Sequence, residues 1–180
     1  MDPTQFDIFL VTAPGLEAVL RDEAVAAGFA DARAETGGVT IAGGWPEVMR
    51  ANLELRGPAR VLARFASFRA LHLAQLDKRA RKLDWGAVLR RDVPVRVEAS
   101  SKGSRLYHTG AIAQRIGTAI TEDFGAPLAS DAPVRIVARV EDDLVTLSVD
   151  TTGEALHRRG HKQAVTAAPT RENLAALFLR

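Results

Sequence analysis

A chain of 180 residues with 47% hydrophobic content is long enough for one full core or two small ones. The lack of any cysteine excludes disulfide frameworks, thiolate zinc sites and cysteine nucleophiles, and a formal net charge of +2 is too small by itself to argue for a polyanionic partner. No apolar run approaches the roughly 20 residues a membrane-spanning helix needs, and Met1-Asp2-Pro3 lacks the basic and apolar regions of a secretory signal, so a soluble, cytoplasmic protein is expected.

Phe6 to Val11 reads as a short buried strand. Pro14-Gly15 then opens an amphipathic helix with Leu16, Val19, Leu20, Glu23 and Ala27 at helical spacing, which Gly28 ends. The pairs Gly37-Gly38 and Gly43-Gly44 bracket a short strand at Val39-Thr40-Ile41. A second helix starts near Pro46, is expected to turn Val48, Met49, Leu53 and Leu55 inward, and stops at Arg56-Gly57-Pro58. Val61 to Phe68 alternates as another strand, giving a β-α-β-α-β order that fills much of a ferredoxin-like layer.

Leu71 to Leu89 is helical in pattern and broken near Trp85-Gly86, which predicts two short helices with basic residues on the outer face. Val93 to Ala99 alternates as a half-buried strand, and Ser100 to Gly110 reads as a polar, irregular loop. Thr109 is the expected N-cap of a helix over 111–124 that buries Ile112, Ile116, Ala119 and Ile120. Val134 to Val140 and Leu144 to Asp150 form a hairpin about Glu141-Asp142-Asp143. After Asp150 comes a glycine- and base-rich stretch and then a helix over 171–180. With Leu174, Leu177 and Phe178 apolar and no partner layer following, this last helix reads as unfinished, the alternative being that it docks on the preceding domain.

Charge is distributed unevenly. Before residue 66 nine acids outnumber six arginines, whereas residues 78–115 hold ten bases against three acids. Such a step fits either a surface that meets a polyanion or a solvated cationic face. No P-loop, dinucleotide-type glycine turn or nucleophile elbow is present. His157 and His161 are four apart, but the glutamate of the zinc-protease pattern is missing and Gly160 argues against a helix, so no metal site is expected. The segment from Ser100 to Gly110 gathers hydroxyls, two cations, a histidine and the chain's single tyrosine ahead of a helix. Phosphates accept from such hydroxyls and cations. An exposed Tyr107 would stack on an unpaired base, but its place just before a helix favours packing with its hydroxyl satisfied.

Four collinear stretches carry a resemblance: Thr12 to Glu17 with Gly37-Gly38-Val39, Lys102 to Ile112, Leu147 to Lys162, and Ala168 to Ala176. Together they resemble the THUMP-containing large-subunit ribosomal RNA guanine-N2 methyltransferases along essentially the whole chain. The resemblance implies an α+β chain with an N-terminal ferredoxin-like domain over 1–65 and a THUMP domain over 66–152. Residues 153–180 would then be a linker and first helix leading to a Rossmann-like methyltransferase domain beyond the chain. This fragment would be noncatalytic and would hold no cofactor or metal, S-adenosylmethionine serving the longer parent. Its partners would be ribosomal RNA and the attached methyltransferase domain, with no membrane and no disulfide partner. Lys78, Arg79, Arg81, Lys82, Lys102, Arg105, His108 and Arg115 are the expected RNA contacts. Arg158, Arg159 and Lys162 either bind RNA or, as favoured here, pin the linker to the attached domain. The alternatives are a THUMP module of another RNA-modification enzyme and a protein-interaction adaptor with a basic face.

Overall fold

The computed structural model describes residues 5–160 and 169–180, and the chain divides into two compact units. The first comprises 1–63 with 151–180, the second 64–150.

In the first unit β1 (Phe6–Val11) pairs antiparallel with β3 (Gly38–Gly43), which pairs antiparallel with β2 (Arg33–Glu35). With β4 (Arg60–Arg69), inside which the boundary between the units falls, the order is β2-β3-β1-β4. The helices are α1 (Glu17–Ala26) and α2 (Trp45–Glu54). The sequence reading lacked β2. That strand completes the β-α-β-β-α-β order of a ferredoxin-like layer.

Gly28 ends α1 as its position predicts. At φ +90° it donates to the Val25 carbonyl while Phe29 donates to that of Ala24, the paired bonds of a Schellman cap. Arg50 then lies 4.7 Å from the centre of the Phe29 ring and donates to the Ala27 carbonyl at 2.9 Å. Gly38 is required for a different reason, since a Cβ there would run into the Leu10 carbonyl and sit 2.7 Å from the Phe9 ring.

Ile8, Leu10, Leu20, Val39, Ile41, Val48, Leu55 and Val61 build the core of this unit. The inward set predicted for α2 is half wrong. Val48 and Leu55 are buried together with Ala51, while Met49 and Leu53 are 65% and 80% exposed. Residues 151–159 lace onto the same unit. Thr151 and Leu156 donate from their backbone to the carbonyls of Val61 and Ala59, and the Thr152 hydroxyl accepts from Val61 N–H at 2.8 Å. α5 (Glu172–Phe178) is not left without a partner layer: Leu177 is buried in this core and the Asn173 amide donates to the Gly57 carbonyl, whereas Phe178 stays exposed.

In the second unit the order is β4-β7-β6-β5. β5 (Val95–Lys102) runs parallel to β6 (Val134–Glu141), and β6 runs antiparallel to β7 (Leu144–Asp150). α3 (Leu73–Ala80) and α4 (Thr109–Ala119) pack on each other and, through Leu76, Ala80, Ile112 and Ile116, on the core formed with Ile136, Val145 and Leu147. Ile112, Ile116, Ala119 and Ile120 are all fully buried, as their spacing predicts.

Several boundaries move. The second short helix expected after α3 is a single 3-10 turn, Trp85–Ala87, whose indole donates to the Ala80 carbonyl at 3.0 Å. Ser100 to Lys102 belong to β5 rather than to a loop, because their backbone continues the parallel ladder opposite Arg139, Val140 and Glu141. His108 is the cap residue of α4 and Thr109 its first helical residue, with no side chain capping that end; the C-terminal part, Ile120–Phe124, is a π-helical segment. The hairpin turn is the pair Asp142-Asp143 alone, at φ 49° and 62°, while Glu141 stays in the ladder opposite Leu144. Among the described residues no helix is long and apolar enough to cross a membrane.

Candidate nucleic-acid interface

The chemistry-bearing loop between β5 and α4 is tied to the β6-β7 turn. Gly103, at φ +61°, turns the chain sharply out of β5. Asp142 donates its N–H to the Lys102 carbonyl, the Ser104 hydroxyl accepts from Asp143 N–H at 3.0 Å, and the Asp143 carboxylate accepts from Arg105 N–H at 2.8 Å. Asp143 is itself fixed to the start of the unit, where its carbonyl accepts from Ala70 N–H. Leu106 is buried, and its carbonyl accepts from the Ser101 hydroxyl. The loop is therefore pinned before, within and after the turn, and it carries Lys102, Arg105, Tyr107 and His108 outward, all four exposed.

Tyr107 departs from expectation. It is 78% exposed, with the His108 ring 6.4 Å away at a 45° tilt, and it belongs to the surface rather than the core.

The basic residues between 78 and 115 fall into three classes. Arg81 is bound internally: it donates to Asp77, Glu122 and Asp123 at 3.0, 2.8 and 2.9 Å, tying α3 to the π-helical segment. The Glu122 hydrogen bond, followed by that of Asp77, raises its pKa above the ordinary guanidinium value. Arg90 is paired with Asp92, and Arg96 with Glu98. Arg79 and Arg91 lie over the rings of Phe68 and Phe124 at 6.0 and 5.4 Å, which leaves their charge in place. Lys78, Lys82, Lys102, Arg105 and Arg115 are exposed and, among the described residues, have no carboxylate partner. A charge count sees ten equivalent bases, and the geometry separates those engaged within the fold from those available to a phosphate.

The bases after residue 153 also divide. Lys162, like His161, lies outside the described residues. Arg158 is exposed beside His157, whose imidazole burial first, then the charges of Arg171 and Arg158, hold below its ordinary pKa. Arg159 is a capping residue of the first unit. Its guanidinium donates to the carbonyls of Asn52, Leu53 and Leu55 at 2.7, 3.2 and 2.8 Å, satisfying the last turn of α2 with a positive charge at the negative end of the helix dipole. It borders a cleft of 520 Å³ that also includes Leu53, Arg56, Leu156 and Asn173. Replacing Arg159 with alanine is expected to lower the stability of this unit by about 1–2 kcal/mol. Urea unfolding followed through Trp45, the tryptophan of the first unit, measures this. An unchanged midpoint would show that the three carbonyls are as well served by water.

The junction at Gly43-Gly44 leaves no room for a nucleotide phosphate. Gly43-Gly44 does lead from a strand into a helix, yet the space at that helix end is filled by Glu47, whose carboxylate accepts from Gly44 N–H at 2.8 Å and whose Cβ lies 2.6 Å from where a Gly43 Cβ would stand. An acid already occupies the anion-binding position.

Comparison with known proteins agrees with this two-part build. Residues 7–62 match the RlmL ferredoxin-like domain and residues 72–150 match the THUMP domain. The ribosomal RNA large subunit methyltransferase K/L of Pseudomonas fluorescens is 32% identical over 97% of this chain and 24% of its own length. A Listeria monocytogenes protein, described as a predicted N6-adenine-specific DNA methylase, superposes with a TM-score of 0.87 at 28% identity, over 97% of this chain and 48% of that one. A methyltransferase candidate solved in complex with SAH does so with a TM-score of 0.85 at 28% identity, over 98% and 48%. The chain thus spans less than half the length of the relatives it matches. The two matches identify an RlmL ferredoxin-like domain followed by a THUMP domain along this sequence.

Proposed function

We propose that this chain is the RNA-binding portion of a longer, S-adenosylmethionine-dependent ribosomal RNA methyltransferase, and that it positions structured RNA for methylation of a guanine exocyclic amine by a domain outside the chain. The observation that carries the reading is the pinned loop of the second unit, which holds Lys102, Arg105 and His108 outward with neither cation spent on a carboxylate among the described residues. The THUMP match over the same residues and the ribosomal RNA named for the Pseudomonas relative support RNA over the DNA named for the Listeria one. In this reading 1–65 is the ferredoxin-like domain, 66–152 the THUMP domain, and 153–180 the stretch that leads toward the catalytic domain, which Arg158 and Lys162 would pin. Lys78, Arg79, Lys82 and Arg115 extend the phosphate-facing surface, and Arg81 supports α3 from within. Catalysis and cofactor binding belong to the remainder of the longer protein, which acts in the cytoplasm.

Phosphate contacts release counterions, so affinity must fall steeply with salt. Replacing Lys102 and Arg105 together with alanine is expected to weaken binding of a structured ribosomal RNA fragment about tenfold and to make the log-log salt slope shallower by one to two. Fluorescence anisotropy of the 180-residue chain over a salt series reads both. Binding that ignores salt, or a double variant that binds like the parent chain, would overturn the assignment.

A further inference from the structure

We propose that Tyr107 is a stacking platform for an unpaired base, so that the loop between β5 and α4 selects RNA with a single-stranded or looped-out nucleotide over uninterrupted duplex. The inference rests on the RNA-binding reading of the second unit and adds the form of RNA that the site takes.

Large aromatic side chains are normally drawn into cores, and Tyr107 is 78% exposed although the residue before it, Leu106, is buried. The loop that presents it is held by the bonds among Lys102, Ser104, Arg105, Asp142 and Asp143 and by the Ser101 hydroxyl on the Leu106 carbonyl. A ring presented from a backbone held in this way meets a ligand without first ordering that backbone, which removes one of the costs of binding. Lys102, the last residue of β5, and Arg105 in the loop precede it, His108 follows, and α4 starts at Thr109. Phosphate-binding cations beside an outward ring are the combination that holds a nucleotide by its backbone and its base face together. Bases within an A-form helix are already stacked on their neighbours, and only a splayed base offers a face to a side chain. A ring in this position therefore has no use on an uninterrupted duplex.

The test compares two RNA probes with the 180-residue chain by fluorescence anisotropy at low salt: a hairpin with an unpaired loop of about eight nucleotides and a blunt duplex of matched length. The parent chain is expected to prefer the hairpin. Tyr107→Ala is expected to weaken hairpin binding by between about 5- and 100-fold while leaving duplex binding unchanged, and Tyr107→Phe, which keeps the ring and loses the hydroxyl, is expected to retain the preference. A 2-aminopurine in the loop should be quenched by the parent chain and by Tyr107→Phe, and not by Tyr107→Ala. Equal hairpin binding by the parent and Tyr107→Ala overturns the stacking role with RNA binding intact. Loss of binding in Tyr107→Phe as large as in Tyr107→Ala overturns it in favour of the hydroxyl. Binding of neither probe by the parent chain overturns the RNA reading itself.

Discussion

Replacing Arg135 with leucine is expected to cost the second unit about 3–5 kcal/mol, a large share of the roughly 5–15 kcal/mol that holds a domain of ordinary stability. Arg135 on β6 stands opposite Asp150 on β7 in the antiparallel ladder, and their side chains are 13% and 2% exposed. The guanidinium bonds Asp150 with one nitrogen and Glu98 of the neighbouring strand with another at 2.8 Å, so that three strands meet on one cation. Truncating the arginine removes the charge that balances a carboxylate shielded from water. Glu98 is half exposed and keeps Arg96 at 3.6 Å, so the loss falls mainly on Asp150, whose side chain is 2% exposed. Replacing both Arg135 and Asp150 with leucine should be much less damaging than either change alone, because a buried ion pair gains little over apolar residues of similar size once desolvation is counted. Trp85, buried in this unit, reports its unfolding in urea once Trp45 is changed to phenylalanine. A single variant within about 1 kcal/mol of the parent, or a double variant as unstable as the two singles added together, would show that the pair is solvated in the folded state.

What the sequence disclosed depended on whether a residue's role is local. β1, β4, β6 and β7 were readable because their apolar residues either run together or alternate, and Gly28 because a helix end needs a left-handed residue where only glycine is comfortable. β2 was not readable. Its three residues are all exposed and its place in the sheet comes from backbone pairing to β3, which no side-chain pattern records. α2 misled for a related reason. Trp45, Met49 and Leu53 repeat every four residues, as a buried face would, while Val48, Ala51 and Leu55 form a second apolar face that is the buried one; periodicity locates both stripes without saying which faces inward. In the candidate interface the bases themselves are visible in the sequence, and Lys102, Arg105 and His108 emerge together along the connection from the end of β5 to the cap of α4. That Arg81 is spent on Glu122 and Asp123, more than forty residues away, and Arg159 on carbonyls about a hundred residues back, depends on tertiary folding that charge counting cannot reach. The helix start beside Tyr107 in sequence suggests packing, and its exposure is set instead by Leu106 taking the inward position.

Glu23 is the corresponding weak point of the first unit. It lies on α1 at 5% exposure, and its two carboxylate oxygens accept from the backbone N–H groups of Arg56 and Gly57, each at 2.9 Å. Those donors belong to the turn between α2 and β4, so one side chain fastens the first helix to the last connection of the ferredoxin-like layer. Gly57 also offers its carbonyl to Asn173 of α5, and a Cβ on it would collide with the Glu23 carboxylate and stand 2.6 Å from Leu177. Changing Glu23 to leucine leaves two donors without acceptors, one of them on a buried residue, and is expected to lower stability by about 2–4 kcal/mol. Glutamine, which keeps one accepting oxygen, should cost about half as much. Gly57→Ala should cost about 1–3 kcal/mol by overpacking, and since its added carbon presses on the same carboxylate, the Glu23→Leu and Gly57→Ala effects should not add. Urea unfolding read through Trp45, with Trp85 replaced by phenylalanine only if that variant keeps the parent's near-ultraviolet circular dichroism, isolates this unit. Were Glu23→Leu no less stable than Glu23→Gln, the carboxylate would be filling space rather than holding the turn. If instead the leucine variant is the weaker and the double variant loses less than the two single costs combined, the fastening of α1 to the α2-β4 turn, and through Gly57 to α5, is one shared arrangement around a single buried acid.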